Sequence, residues 1–415
     1  MSKTIRIIAL SFAIAVLSAI FNVSVSMNAH GDGNTIGKCG LTAVRRGDDN
    51  GEGESITGSV DELLDNLDLS GLQGLVNSLG ADGLKVFGFS DIADRISAVA
   101  NGEFENDFGG IVSYLLALVG ANIFEYMPMM LSVLAIILAY NLLNSIKGKY
   151  ASESIERVVY FATGALAISL IVGYFSSILA TAVKFAASVR TQVQTVVPIL
   201  LTLMTAAGAT SSAGVYTPTI AILGNGMTSA VTYLVFPALL MALVFDIIGS
   251  ISTSVKLDKT VEFFRSACKW FLGSAFFLFV TVIGISGITA SVRDGITVRA
   301  ARFAVSKYVP VIGGYLSQGF DFIMAGNVLI KNAVGSSAVV LIVLLVTPIL
   351  SKLVIFTLTL KLTAAIAEPL GGDRFCGVLT SVAKTSSMIA TAVVALTVMY
   401  VLFLAMIICT GNIGL

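Results

Sequence analysis

Histidine occurs once in 415 residues, at His30, and that scarcity removes two large classes of chemistry. A multi-histidine metal site cannot be assembled. No Ser/His pair is available in the apolar part of the chain either. Cysteine is almost as sparse. Cys39, Cys268, Cys376 and Cys409 are scattered without a CxxC or a framework spacing, so no disulfide is predicted. Cys39 follows Lys38 where a lipoprotein signal has a small residue, and it reads as a plain thiol. Charged residues make up only 12% of the chain, about half the ~25% of ordinary soluble domains. Nowhere do lysines and arginines interleave with aromatics in a polar region, so nucleic acid is not an expected partner. No GxxxxGK[ST], HExxH or GxSxG occurs. The chain is therefore not expected to hydrolyse ATP through a P-loop, to be an enzyme or to carry a cofactor.

What remains is apolar. Hydrophobic residues account for 56% and the mean hydropathy is +0.92, with runs long enough to cross a bilayer. The zero net charge conceals an asymmetry. Residues 30–110 hold 15 of the 25 acidic side chains and 5 basic ones, whereas residues 111–415 hold 18 basic and 10 acidic. An acidic front precedes a basic membrane body.

Lys3 and Arg6, the apolar stretch Ile7 to Phe21, and the small residues Ser24, Ser26 and Ala29 read as a signal peptide over 1–29. An uncleaved anchor is the alternative; both put the segment beginning at residue 30 outside the cytoplasm. Residues 30–55, rich in Gly, Asp and Asn, are predicted to be a disordered linker. The cluster Asp48-Asp49-Asn50-Gly51-Glu52 lacks the ligand spacing of a calcium loop. Over 56–125, Leu63, Leu64, Leu67, Leu72, Leu75, Val76 and Leu79 recur at helical spacing. They predict short amphipathic extracytoplasmic helices interrupted by Gly71, Gly74 and Gly80.

Residues 126–415 form the expected membrane domain, an all-α polytopic bundle. Six spans are predicted at about 128–146, 158–180, 228–250, 270–290, 338–360 and 386–410. A shorter segment at 111–124, with Gly120 and Asn122, reads as interfacial. Five of the seven prolines share one period: Pro128, Pro237 and Pro348 lie 109 and 111 residues apart, and Pro198 and Pro310 lie 112 apart. SVR recurs at 188–190 and 291–293. This is the pattern of tandem units of about 110 residues, the last truncated. The stretches led by Pro198 (198–226) and Pro310 (310–335) are polar and glycine-rich. They are read as re-entrant segments lining a cavity, with ordinary outer loops as the alternative. Ten basic residues fall on the expected inner side and seven on the outer, a weak positive-inside bias. Copies in one orientation do not predict an inverted-repeat transporter.

Charges within or beside the spans require explanation, since an unpaired acid at membrane depth costs roughly 2.5–3.5 kcal/mol on the lenient scale. Asp246, Asp321 and Lys331 are candidates for a polar pathway or for interhelical pairing. Lys352 is read as pairing and snorkelling. Arg293, Arg299, Arg302 and Lys307, interleaved with apolar residues, would suit either headgroups or the acidic face of a partner.

The stretch YVPVIGGYLSQGFDFIMAGNVLIKNAVG (308–335), then KLTAAIAEP (361–369), the AAG segment after Pro198 and NGEF (101–104) resemble the stage III sporulation protein AE family. The resemblance covers essentially 56–412; residues 31–55 fall outside it. It implies a polytopic protein of the mother-cell membrane around the forespore, part of a secretion-like complex connecting the two cells during endospore formation. Within that complex it implies a permease-like, channel-like or scaffold subunit, with other subunits, including a separate ATPase, as partners beside the lipid bilayer. Self-association is left open. Readings of another class are a stand-alone ion-coupled transporter and a purely structural anchor for ring-forming partners.

Overall fold

The computed structural model describes residues 67–102, 108–146, 153–251, 257–308, 313–370 and 373–410, and no strand occurs among them. Three short helices, α1 (Ser70–Asn77), α2 (Ala81–Phe87) and α3 (Ile92–Asn101), precede six long ones. The long helices are α4 (Phe108–Ile146), α5 (Glu153–Ala206), α6, α7 (Asp258–Tyr308), α8 (Gly313–Ala367) and α9 (Asp373–Cys409). Helix α6 runs over Thr210–Ile220, Thr228–Ala230 and Phe236–Ile251, with π-helical windings at Ala221–Met227 and Val231–Val235 between them. All six are long and apolar enough to cross a membrane, with candidate spans of 28 to 46 residues. The expected all-α polytopic bundle is what the chain forms.

The short helices are self-consistent in sequence. Asp91 caps α3 by accepting the Ala93 amide at 2.8 Å, as N-cap aspartates do. Gln73 ties α1 to the start of α3, accepting from the Ile92 amide at 2.9 Å and donating to the Ser90 carbonyl at 2.8 Å. Arg95 is buried, its guanidinium 4.1 Å above the Phe87 ring and hydrogen-bonded to the Phe87 carbonyl. Burial pushes it down to about 10, so it stays charged at neutral pH. Of the glycines expected to interrupt this region, Gly71 and Gly74 lie inside α1, and only Gly80 separates two helices.

Two expectations about the long segments are corrected. Residues 111–124 are not a separate interfacial piece but the first part of α4, which runs unbroken through Pro128 and through the expected division at 125/126. The polar group that suggested an interface, Asn122, is buried and donates to Ser351 Oγ at 2.8 Å, so α8 satisfies it. Nor are the Pro-led stretches separate elements: residues 198–206 end α5, residues 210–226 begin α6, and residues 313–335 begin α8. Helix α5 continues through Pro198 for 54 residues, about 80 Å at 1.5 Å per residue, and turns only at Ala207–Ala209. Residues 313–335 are the straight beginning of α8. Their polarity belongs to helix ends that outreach a ~30 Å hydrocarbon layer. Pro310 lies outside the described residues, as do residues 1–66, with the signal peptide, His30, Cys39 and the acidic linker.

The α5–α6 turn is held at two points. Gly208 adopts φ +86°, a left-handed conformation that only glycine takes without strain. Asp294 of α7, buried, accepts the Ser211 and Ser212 amides of α6 at 2.8 and 2.9 Å, satisfying two donors that a helix N-terminus leaves open. Asp294→Ala is expected to lower the stability of the detergent-solubilised protein by about 1–2 kcal/mol. Limited proteolysis should then cut at residues 207–212 faster than in the wild type.

Candidate functional site

Contacts between helices fix their heights. Asn122 meets Ser351, Glu125 meets Lys352, and Asn141 donates to the Leu370 carbonyl. Helices α4 and α8 therefore run side by side in the same direction. Helix α9 runs back along α8. The connections α4–α5, α6–α7 and α8–α9 share one end of the bundle, here termed the inner end, and α1–α3 pack toward the other.

Near the inner end, Arg265 of α7 places Nη2 2.7 Å from Asp246 Oδ2 of α6. The same nitrogen lies 3.3 Å from the Ser381 carbonyl and from Thr385 Oγ1 of α9. The two side chains are 14% and 18% exposed. Asp246 is thus the acidic half of a clasp joining three helices. Interhelical pairing is what the geometry supports for it, and no continuation toward Lys331 exists among the described contacts.

Near the outer end, Lys331 of α8 is fully buried. Its Nζ donates to the Ile408 carbonyl at 3.2 Å and to the Thr410 carbonyl. These carbonyls belong to the last turn of α9, where the helix dipole is negative and oxygens lack intrahelical partners. Tyr216 of α6, also buried, hydrogen-bonds Thr410 Oγ1 at 2.9 Å. The approach is close because residue 335 is glycine: a Cβ there would stand 2.6 Å from Ile408 Cγ1. Lys331 therefore staples the end of α9 to α8.

Asp246 and Lys331 do not form one site. Their levels on α9 differ by the distance from Ser381 to Ile408, about 40 Å along the helix. Asp321 falls in the outer part of α8, and its side chain lies outside the described residues. Pro128, Pro198 and Pro348 are interior to α4, α5 and α8, and Pro237 follows directly on the second π winding of α6. Three residues that organise these centres carry weak sequence signals. Arg265 reads as an inner-loop cation, and Asp294 lies beside the SVR motif without distinction. Glu125 falls in the segment assigned to the exterior. A spacing of 19 between opposite charges flanking an expected inner loop is the available hint for Asp246 and Arg265. Among the described residues, no group of three or more His, Cys, Asp or Glu is placed to hold a metal ion.

The family model described as stage III sporulation protein AE matches residues 90–411. The chain belongs to the stage III sporulation protein AE family. The Stage III sporulation protein AE of Bacillus subtilis (strain 168) is 25% identical over 271 residues, covering 65% of this chain and 68% of that protein. No solved structure matches. The family match spans all six long helices and all three polar centres, and membership implies a role in sporulation.

Arg265→Ala leaves Asp246 without its counter-charge and is expected to destabilise the protein by on the order of 3 kcal/mol. The double replacement Asp246→Leu with Arg265→Met should cost less than the single one. A double-mutant cycle by thermal unfolding in detergent checks both expectations.

Proposed function

We propose that this family member is a membrane subunit of a complex joining mother cell and forespore, and that it serves there as a scaffold. In this reading it resides in the mother-cell membrane with the end bearing α1–α3 facing the space between the two membranes. Other subunits dock on it, and a separate ATPase supplies the energy. Family membership supports the sporulation role. The observation that favours a scaffold over an ion-coupled transporter is the use made of the membrane charges. Asp246 is neutralised by Arg265, and Lys331 is consumed by the carbonyls ending α9. A coupling ion needs a carboxylate that can exchange partners, whereas these groups hold helices together.

The test is genetic and biochemical. Deletion is expected to arrest development after engulfment while vegetative growth is unaffected, and normal spore yield from the deletion strain would sink the reading. The double replacement of Asp246 and Arg265, which removes the carboxylate without orphaning its partner, should still complement. Proton- or sodium-driven uptake by the purified protein in liposomes, abolished by the same replacement, would instead establish a transporter.

A further inference from the structure

The outer end of α7 carries an amphipathic face of its own. Between Lys269 and Arg293 the helix has 23 residues without a charge, about 34 Å of its length and close to the width of a hydrocarbon layer. Past that run it continues unbroken to Tyr308. One side of this end is occupied by the α5–α6 turn. Asp294 accepts the Ser211 and Ser212 amides, and Val298 lies so near Gly208 that an added Cβ would stand 3.1 Å from its Cγ2. The opposite side is open. Val292 and Ile296 are 59% and 65% exposed, and Arg293, Arg299 and Ala300 are exposed with them. At about 100° per residue, Val292, Ile296 and Ala300 fall within about 80° of one another. Arg299 lies about 20° beyond one edge of that strip and Arg293 about 20° beyond the other. A helix that binds headgroups lies flat on them, whereas this one prolongs a span without a break and turns its strip sideways.

We propose that this strip is the docking site of residues 48–66 of the same chain, a segment that lies outside the described residues. Charge favours this occupant. Residues 293–307 hold Arg293, Arg299, Arg302 and Lys307 against Asp294, whose carboxylate is already engaged by two amides. Four cations on the outer side run against the positive-inside trend and call for a counter-charge there. Residues 48–66 hold seven acidic side chains and no basic one. Pattern favours it as well. Val60, Leu63 and Leu64 recur at helical spacing with Asp61, Glu62 and Asp65 among them. An apolar strip edged by carboxylates thus meets one edged by guanidinium groups. The chain also reaches. Gly71 in α1 abuts Thr195 of α5, about 16 Å along that helix from its end at Ala206. Helix α7 is at most two helix spacings across, about 20 Å, so the strip begins about 26 Å from Gly71 in a straight line. Asp61 stands ten residues before Gly71 and extends to about 33 Å, with residues 48–60 reaching further.

Full-length protein in native membranes, with the four native cysteines replaced, tests this. Val60→Cys with Ile296→Cys should form a disulfide within one chain under mild oxidation, read from the linked peptides by mass spectrometry. Val60→Cys with Trp270→Cys, at the inner end of α7, should not. Asp61→Lys, Glu62→Lys and Asp65→Lys together alter no described helix and should cut the cross-link about tenfold. Adding Arg293→Glu and Arg299→Glu should restore it, since the charges are then exchanged rather than lost. The same three lysine replacements should speed labelling of Ile296→Cys by a membrane-impermeant maleimide about tenfold. Three results would overturn the proposal. One is equal cross-linking from native and reversed charges. Another is a disulfide formed only between two chains or with a different protein. The third is protection of Ile296→Cys that survives charge reversal and follows the anionic lipid content of nanodiscs, which would make headgroups the occupant. These readouts need no sporulating cell, so they stand apart from the proposed role in development.

Discussion

Asp246, Lys331 and Glu125 are charges placed among the spans, and the helices are arranged so that each meets a partner there. Asp246 meets Arg265 and, through it, two oxygens of α9. Lys331 meets the carbonyls that α9 leaves open at its end. Glu125 meets Lys352. Arg265 thereby ties α7 to α9, and Glu125 with Lys352 ties α4 to α8, helices far apart in the chain. Water competes for such groups in a soluble protein, and the net contribution of each pair is small. Where water is excluded, the alternative to the pair is an uncompensated charge, so the same contacts become conditions on which helix may lie beside which. Polar neutral groups follow the same rule: Asn122 turns to Ser351, and Thr357 to Ser386 at 3.1 Å.

Length is the second constraint. At 54 and 55 residues, α5 and α8 exceed what a bilayer covers by more than a factor of two. Their surplus cannot be satisfied by lipid, so it packs on itself: α1–α3 lie against the outer part of the bundle, and Asp294 locks the α5–α6 turn there. Packed helix ends longer than a bilayer requires offer a surface that other proteins can grip, which accords with a scaffold role. The first π winding of α6 carries Asn225, which with Ser229 receives Arg190 at 3.1 and 2.9 Å.

The spanning segments are legible in the sequence because hydrophobicity summed over ~20 residues is a strong local signal. All six expected spans overlap helices of the structure. Proline and glycine are the poorer guides. Pro128, Pro198 and Pro348 look in sequence like the leaders of segments, yet they sit within continuous helices. A proline frees only the carbonyl four residues before it, and a helix packed in a bundle tolerates that single loss. The polar stretches after Pro198 and Pro310 mislead for a related reason. Local composition distinguishes lipid-facing from protected backbone, but it does not say whether protection comes from a cavity or from a neighbouring helix beyond the membrane. Of the candidate charges, Asp246 and Lys331 stand out in the sequence as needing partners, and both have them. The partners themselves are invisible there, because 116 residues separate Arg265 from the Ser381 carbonyl and 77 separate Lys331 from that of Ile408.

That last separation has a consequence for how the protein is made. When α8 enters the membrane, the carbonyls that will receive Lys331 have not yet been synthesised; they lie 77 residues further on, at the far end of α9. During that interval the ammonium must remain hydrated or lean on the insertion machinery. Only once α9 has been added can it close over the ammonium. The last turn of α9 thus acts as the fastener of the assembled bundle, and a chain lacking that turn would be distinguishable to a membrane protease by the lysine it had failed to cover.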